Sequence, residues 1–343
     1  MNTNNYSGIR DAIYQAENII ISTHANPDGD TLGSALGLYH FLISKKLNAQ
    51  LICPDVAPNF LSWMPAYDKF ITYQKSPTKL QAIISQADLI IHIDYNAFHR
   101  TGEKVSPLLA NIKGIQHVMI DHHPNPEDGF SAYVSDPTAC STAQLVYQFT
   151  QYIEPDMLLP INSATCLYVG LITDTGSFSY GMADEKPYLV AAALVQAGIN
   201  DRLIHEKVYS NNTLNRLKLL GYALSEKLII NKDEKWAYIS LNRQELEKYD
   251  YQAGDTEGIV NYALSVFGVN AAILLTEKDG KIRLSFRSKA NFAVNKIARD
   301  YFGGGGHLNA AGGNSTLSME ATIEDLKIRM TEFKKELQNT DLS

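Results

Sequence analysis

"IISTHANPDGDTLGS", residues 20–34, begins as an apolar strand that stops at Ser22. It then places His24, Asp28 and Asp30 within seven residues and runs straight into a helix pattern. One imidazole and two carboxylates on a single strand-to-helix turn need a reason. Working outward, "AENIIISTH" (16–24) reads as a buried strand and "TLGSALGLYHFLISKK" (31–46) as an amphipathic helix with apolar residues near the 3.6 period. Further strands are expected at "NAQLICP" (48–54), "DLIIHID" (88–94) and "GIQHVMIDHH" (114–123), with helices at "KLQAIISQA" (79–87) and "CSTAQLVYQFTQY" (140–152). This alternation predicts an α/β fold with a doubly wound, mainly parallel sheet covered on both faces. Ligands of such sheets gather beyond the carboxyl ends of the strands.

"INSATCLYVGLITDTGSF" (161–178) reads as a helix that gives way to a loop at Asp174, and "KPYLVAAALVQAG" (186–198) as a helix capped by Gly198. Residues 200–227 are polar and helical, with no strand signal, and read as a connector. After them "WAYISLN" (236–242), "VNAAILLTEKDGKIRLSFRS" (269–288) and "VNKIARDYF" (294–302) restart a strand-rich unit, with "EKDGK" as a hairpin signal. The expected organisation is an N-terminal domain over 1–187, a helical linker over 188–222 and a smaller α/β domain over 223–343.

The chain has 343 residues, 45% hydrophobic and 20% charged, as in an ordinary soluble globular protein. Its net charge is −7 and it has no Lys/Arg run, so a long nucleic acid is not the expected partner and any polyanionic substrate should be short. No signal peptide and no apolar stretch of membrane-spanning length is found. Cys53, Cys140 and Cys166 lack CxxC spacing and read as reduced thiols. The expectation is a cytoplasmic protein that does not engage a membrane.

The chemistry-bearing residues stand where apolar runs stop: His24, Asp28 and Asp30; Asp94; Asp121, His122 and His123; Asp174. Each has a plain explanation on its own, as a helix cap, an Asx turn or a solvated turn. Their coincidence at four element ends points instead to a two-metal site. Carboxylate and imidazole donors without cysteine suit Mn²⁺. Two ions roughly 3.5–4 Å apart need a shared carboxylate, and Asp94, alone at its strand end, is the natural bridge. His24 and Asp28 can then face one ion and Asp30 the other.

"HANPDGDTLGSALGL", "HID", "DHHPNP" and "TDTGSF" resemble, in order and spacing, the four signature motifs of the DHH phosphoesterase superfamily. Within its RecJ-like branch the chain is similar, over nearly its whole length, to the small oligoribonucleases of NrnA type that also act on 3′-phosphoadenosine 5′-phosphate (pAp). The resemblance implies that His24, Asp28 and Asp94 hold one ion and that Asp30, Asp94, His122 and Asp174 hold the other. Both would be Mn²⁺, with Mg²⁺ or Co²⁺ as alternatives. It implies that Asp121 orients its neighbours and that His123 contacts the scissile phosphate or protonates the leaving oxygen. Gln144 stands where relatives often carry Glu. A homodimer is a further implication.

In "RDYFGGGGHLNAAGGNS" (299–315), glycines let backbone amides converge on an anion, although a bare GGGG is more often a flexible turn. "GGGGH" followed by "NAAGG" resembles the substrate-binding signature of the DHH-associated domain. It implies a loop in which Gly304, Gly305, Gly306 and His307 grip the terminal nucleotide. Arg287 resembles the family's phosphate clamp, or is a solvated strand-edge Arg. Asn309 binds substrate or shapes the loop. His92 and His117, inside apolar strands, read as satisfied core residues.

The function implied is a metal-dependent phosphodiesterase and phosphatase acting on very short oligonucleotides or pAp. The alternatives are a soluble phosphodiesterase for cyclic or linear dinucleotides, a manganese pyrophosphatase and a non-catalytic nucleotide-binding module.

Overall fold

The structure is a computed structural model that describes residues 5–179, 184–278 and 280–340. It divides into two compact units, Met1–Asn211 and Asn212–Ser343. The first runs α1 (Tyr6–Gln15), β1 (Ile19–Ser22), α2 (Gly29–Ser44), β2 (Ala49–Cys53), β3 (Ile71–Thr72), α3 (Pro77–Ile84) and β4 (Leu89–Ile93). It continues with α4 (Gly102–Ala110), β5 (Gln116–Asp121), β6 (Ala132–Ser135), α5 (Thr142–Ile153), α6 (Ile161–Asp174), α7 (Lys186–Gln196) and α8 (Asp201–Tyr209). Its six strands lie in the order β3-β2-β1-β4-β5-β6 and every pairing is parallel.

The strand sequences explain this layout. In β1, Ile19 and Ile21 enter one core with Leu36 and Leu167, while Ile20 enters the opposite core with Leu80 and Val105. The same alternation places Ile91 and Ile90 of β4 on opposite faces. Each fully buried isoleucine contributes about 1.5–3 kcal/mol, so a strand apolar on both faces is stable only between two helical layers. Two short strands, β3 and β6, carry too little pattern to be read from sequence. Helix α4, which contains Pro107, also escaped.

Helices α2 and α6 touch through backbone. A Cβ on Gly33 would lie 2.5 Å from the Gly170 nitrogen and 2.6 Å from the Cys166 carbonyl oxygen, and one on Gly37 would lie 2.4 Å from Leu167 Cδ2. The pairing runs antiparallel, Gly29 meeting Thr173 and Gly37 meeting Leu167. The start of α2 therefore lies beside the end of α6, which brings Asp30 towards Asp174.

The second unit runs α9 (Leu214–Glu226), β7 (Leu228–Asn231), β8 (Trp236–Leu241), α10 (Arg243–Lys248), α11 (Ile259–Ser265) and β9 (Ala271–Lys278). It ends with β10 (Lys281–Ser288), α12 (Val294–Phe302), β11 (Gly305–His307), β12 (Ala310–Ser315), α13 (Met319–Glu332) and α14 (Lys334–Gln338). Its sheet has the order β11-β12-β10-β9-β8-β7, antiparallel except for β8 with β9. Ile273 and Leu275 face one core, and Ala272 and Leu274 the other. Strands β9 and β10 form the expected hairpin; Asp279 of "EKDGK" lies outside the described residues.

Segment 188–222, read as a linker, is shared between the units. Val190, Leu194, Ile204 and Val208 enter the first unit's core, whereas Leu219 enters the second's. "VNKIARDYF" is a helix and not part of the strand pattern, because its buried residues Val294, Ile297, Ala298 and Phe302 recur at helical spacing. Among the described residues no helix is long and apolar enough to cross a membrane.

Candidate metal centre

Strands β1 and β4 are neighbours at the point where strand order reverses, and the chain leaves their carboxyl ends in opposite directions. That divergence opens the crevice in which open α/β sheets bind ligands. His24 follows β1, Asp94 follows β4, and Asp121 ends β5 with His122 and His123 behind it. Asp28 caps α2, Asp30 lies in its first turn and Asp174 closes α6. Four separate segments thus converge on one end of the sheet.

The ligand atoms fall into overlapping groups. His24, Asp28 and Asp94 offer atoms within 4.8 Å of one another, as do Asp30, His122 and Asp174, and Asp94, Asp121 and His123. Asp94 links them, with Oδ2 3.4 Å from His24 Nε2 and Oδ1 3.8 Å from His122 Nε2. His122 Nε2 also lies 3.5 Å from Asp174 Oδ2 and 3.9 Å from Asp30 Oδ2.

Both imidazoles are oriented by backbone. His24 Nδ1 lies 2.8 Å from the Ala25 carbonyl oxygen and His122 Nδ1 3.2 Å from that of Ala139. Donation from Nδ1–H leaves Nε2 turned to the carboxylates, the tautomer a metal ligand needs. Asp121 serves His123 instead, taking Nδ1 at 2.7 Å and the His123 amide at 3.0 Å. His123 therefore has Nδ1 tied down.

Hydroxyls that the sequence reading passed over complete the shell. Thr31 Oγ1 lies 2.5 Å from Asp94 Oδ2, 2.6 Å from His24 Nε2 and 3.0 Å from Asp28 Oδ1. Thr142 Oγ1 donates to Asp94 Oδ1 at 2.9 Å. The signal was available: "DGDT" and "CST" each put a hydroxyl in the first turn of a helix beginning at the site. Asp30 accepts the Thr142 and Ala143 amides at 2.7 and 2.9 Å, so one carboxylate both faces the centre and caps α5. Gln144 accepts the Cys140 amide through Oε1, a neutral task that explains why no charge is needed there. Asp94 adopts φ +66°, a left-handed conformation that Asp tolerates better than most residues and that clusters at functional sites.

The electrostatics are those of a cation site. Burial, then the charges of Asp94, Asp174 and Asp28, pushes the Asp30 carboxyl well above its ordinary value. Burial also pushes Asp94 up, but its hydrogen bond and charge contact with His24, joined by His123 and His122, outweigh that and hold it well below the usual carboxylate range. His24 and His122 are lowered by burial, and the carboxylates outweigh this and raise both. For His123 burial wins, and its pKa falls. Buried Asp30 and Asp94, exposed Asp28 and Asp174, and imidazole nitrogens among them with no thiolate fit a divalent ion of the Mn²⁺ or Mg²⁺ kind. The three cysteines are free, and burial pushes their thiols up, Cys53 and Cys140 to about 12.

Behind the centre, His92 Nε2 meets His117 Nδ1 at 2.8 Å, His92 Nδ1 meets Tyr95 Oη at 2.5 Å, and Tyr95 donates to Ser22 at 2.9 Å. These are satisfied interior groups that tie β1, β4 and β5 together.

In the second unit the glycines prove to be hairpin residues more than loop residues. Gly303 is the left-handed cap of α12, and Gly305, Gly306 and His307 pair with Gly312, Ala311 and Ala310. A Cβ on Gly304 would lie 1.8 Å from the Gly312 oxygen. Arg287 is also paired with Ala310, so Arg287 and His307 flank it on one face of the sheet. Asn309 donates to Ser288 Oγ and the Ala290 carbonyl, both at 2.9 Å, and so shapes the turn.

Comparison with known proteins agrees with this architecture. The model of the DHH family N-terminal domain matches residues 18–171 and that of the DHHA1 domain residues 233–337. A solved exopolyphosphatase-related protein from Bacteroides fragilis is 36% identical, with a TM-score of 0.90 over 97% of both chains. The bifunctional oligoribonuclease and PAP phosphatase NrnA of Bacillus subtilis is 26% identical over 299 residues, 86% of this chain and 88% of that one. The cyclic-di-AMP phosphodiesterase GdpP of the same organism is 26% identical over 346 residues, 95% of this chain but 49% of that one.

Proposed function

The chain belongs to the DHH family, with a DHH N-terminal domain followed by a DHHA1 domain, and from that premise we propose that it is a metal-dependent phosphoesterase. It hydrolyses very short oligonucleotides to mononucleotides, and pAp to AMP. The observation that carries the reading is the pair of ligand groups, His24/Asp28/Asp94 and Asp30/His122/Asp174, joined where Asp94 Oδ1 lies 3.8 Å from His122 Nε2. The relatives named for oligoribonuclease and PAP phosphatase activity support the substrate class. Bound divalent ions, Mn²⁺ by preference, would polarise the phosphoryl group and lower the pKa of water.

The chain's own groups do the rest. His24 and His122 present Nε2, held by the Ala25 and Ala139 carbonyls. Thr31 and Thr142 fix both oxygens of Asp94. Asp121 fixes His123 through Nδ1, which leaves Nε2 to contact the scissile phosphate or to serve the leaving oxygen in proton transfer. In the second unit, Arg287 and His307 are the residues that bind phosphate or base. A net charge of −7 accords with a substrate bearing few phosphates.

The test is turnover with Mn²⁺ on pAp, dinucleotides, cyclic dinucleotides and long RNA. Rapid hydrolysis of pAp and dinucleotides is expected, with slow attack on long RNA. Asp94→Ala should reduce kcat by about 10³-fold or more, in line with loss of a group that positions reacting charge. Full activity of Asp94→Ala in a folded protein overturns the reading. Preference for a cyclic dinucleotide, the activity named for GdpP, would replace the substrate and keep the centre.

A further inference from the structure

Strands β4 and β5 pair in parallel from Leu89 with Gln116 to Ile93 with Ile120, and the Asp94 amide adds a last bond to the Ile120 carbonyl at 3.1 Å. The ladder stops there, because Asp94 turns at φ +66° and the chain leaves the sheet. His123 lies beyond that end, two residues after β5 finishes at Asp121. Sheet pairing therefore does not reach far enough to set the place of His123 against Asp94.

Asn96 carries the tie further. Its Nδ2 donates to the Pro124 carbonyl at 2.6 Å and to the Asn125 carbonyl at 3.3 Å. Its own carbonyl accepts the Glu127 amide at 2.7 Å, and Glu127 Oε2 accepts the Phe98 amide at 2.8 Å. Four hydrogen bonds thus join segment 96–98, behind Asp94, to segment 124–127, behind His123. Two successive carbonyls call for two donors on one neutral group, which is what a side-chain amide offers. On its own side of the crevice His123 is held by Asp121, which accepts its amide at 3.0 Å and Nδ1 at 2.7 Å, and by Ser135 Oγ, which donates to its carbonyl at 3.1 Å. Asp121 and Ser135 are paired across β5 and β6, so these anchors fix the ring to those two strands. Asn96 adds an anchor from β4, the strand that carries Asp94, and it lands on the residue directly after His123.

We propose that Asn96 is a positioning residue for catalysis, its side-chain amide clamping the loop behind His123 and so setting the imidazole against Asp94, whose Oδ1 lies 3.9 Å from His123 Nδ1. The proposal rests on the phosphoesterase reading for the reaction that His123 serves. Asn96 is not one of the eight acidic and imidazole residues of the centre, and it acts through His123. Its loss should therefore be felt in turnover and not in metal binding.

The experiment compares wild type, Asn96→Ala, Asn96→Leu, His123→Ala and the double variant Asn96→Ala/His123→Ala, by kinetics on pAp and by Mn²⁺ titration. Asn96→Leu keeps the volume of the side chain and lacks its donors. In both single Asn96 variants kcat should fall about ten- to hundredfold, as for a reacting group displaced by about 1 Å, with Mn²⁺ affinity unchanged. The double variant should be no slower than His123→Ala, since a clamp with no ring to place has nothing left to do. Wild-type kcat in either Asn96 variant overturns the proposal, as does weakened Mn²⁺ binding. A double variant slower than His123→Ala by the full Asn96 factor also overturns it, because the role would then be structural. If the Asn96 variants do not fold, Glu127→Ala removes one exposed bond of the same clamp. A fall in kcat of about two- to tenfold is then expected, absent in the His123→Ala background, and no fall overturns the proposal. Imidazole NMR of the Mg²⁺-loaded protein reads the placement without turnover. The His123 resonance should shift or broaden in Asn96→Ala, and an unchanged resonance overturns the proposal. A wild type that turns over no substrate overturns the hydrolase reading, and the resonance then decides this one.

Discussion

The Asp30 carboxylate accepts the first two amides of α5 while facing Asp94 and Asp174, so its protonation is contested. Burial and like charge raise its pKa, and carboxylates raise those of His24 and His122 above 6.5. The raised values favour the protonated forms of these three groups, and a bound cation would compete with those protons. Groups with raised folded values contribute stability that is complete at low pH and is lost as pH climbs through those values. Asp94, whose value is depressed, contributes in the opposite sense: its share is lost only in acid. Two results are expected. Mn²⁺ uptake near pH 6.5 in weak buffer releases protons, and apparent affinity rises with pH. The metal-free melting temperature falls as pH rises above about 6.5 while the metal-loaded one does not. Uptake without proton release would refute this charge assignment. The eight acidic and imidazole residues were legible because each ends an apolar run. Thr31 and Thr142 were not, since a hydroxyl near a helix start is ordinarily a cap.

Helices α2 and α6 set the spacing between ligands on different segments. Their backbones meet at Gly33 and Gly170, with Asp30 at the start of one helix and Asp174 at the end of the other. Asp174 sits at a helix C-terminus, where the dipole disfavours an anion by about 0.3–1 kcal/mol. Packing, not local preference, keeps it there. Gly33→Ala places a methyl 2.5 Å from backbone, which neither helix can yield without moving. Overpacking of that kind costs about 1–3 kcal/mol, or about 2–10 °C in Tm for a unit of this size. Calorimetry should record that loss together with weaker Mn²⁺ binding, although Gly33 touches no ligand. Wild-type metal affinity in Gly33→Ala would dissociate the helix pair from the centre. Elements with long runs, β1, α2, β4 and β5, were readable from sequence. The close approach of α2 and α6 was not, because glycine in a helix pattern reports nothing about what lies opposite. Segment 294–302 misled for another reason: its isoleucine and aromatics suit either element, and only the spacing of the buried positions decides for a helix.

At the scale of the molecule, two units with separate cores share one chain. All eight residues of the candidate centre lie in the first. Ligands that bind only the native state stabilise it by mass action, by about 2.7 kcal/mol at a hundred times Kd. Scanning calorimetry of the full chain should therefore show two transitions, and added Mn²⁺ should raise only one. The response should vanish in Asp94→Ala. Equal shifts in both transitions would mean that metal is held elsewhere as well. The division into two α/β units followed from the change of pattern after residue 200. The exact seam did not, because amphipathic helices look alike whichever core they cover. The parallel sheet carries one more consequence. Its innermost pair, β1 with β4, cannot close until β4 has been synthesised, and Asp174 follows His24 by 150 residues. A ribosome adding 5–20 residues per second needs roughly 8–30 s to cover that interval. The nascent chain thus carries the His24, Asp28 and Asp94 group long before the Asp30, His122 and Asp174 group, which is complete only once Asp174 has been added.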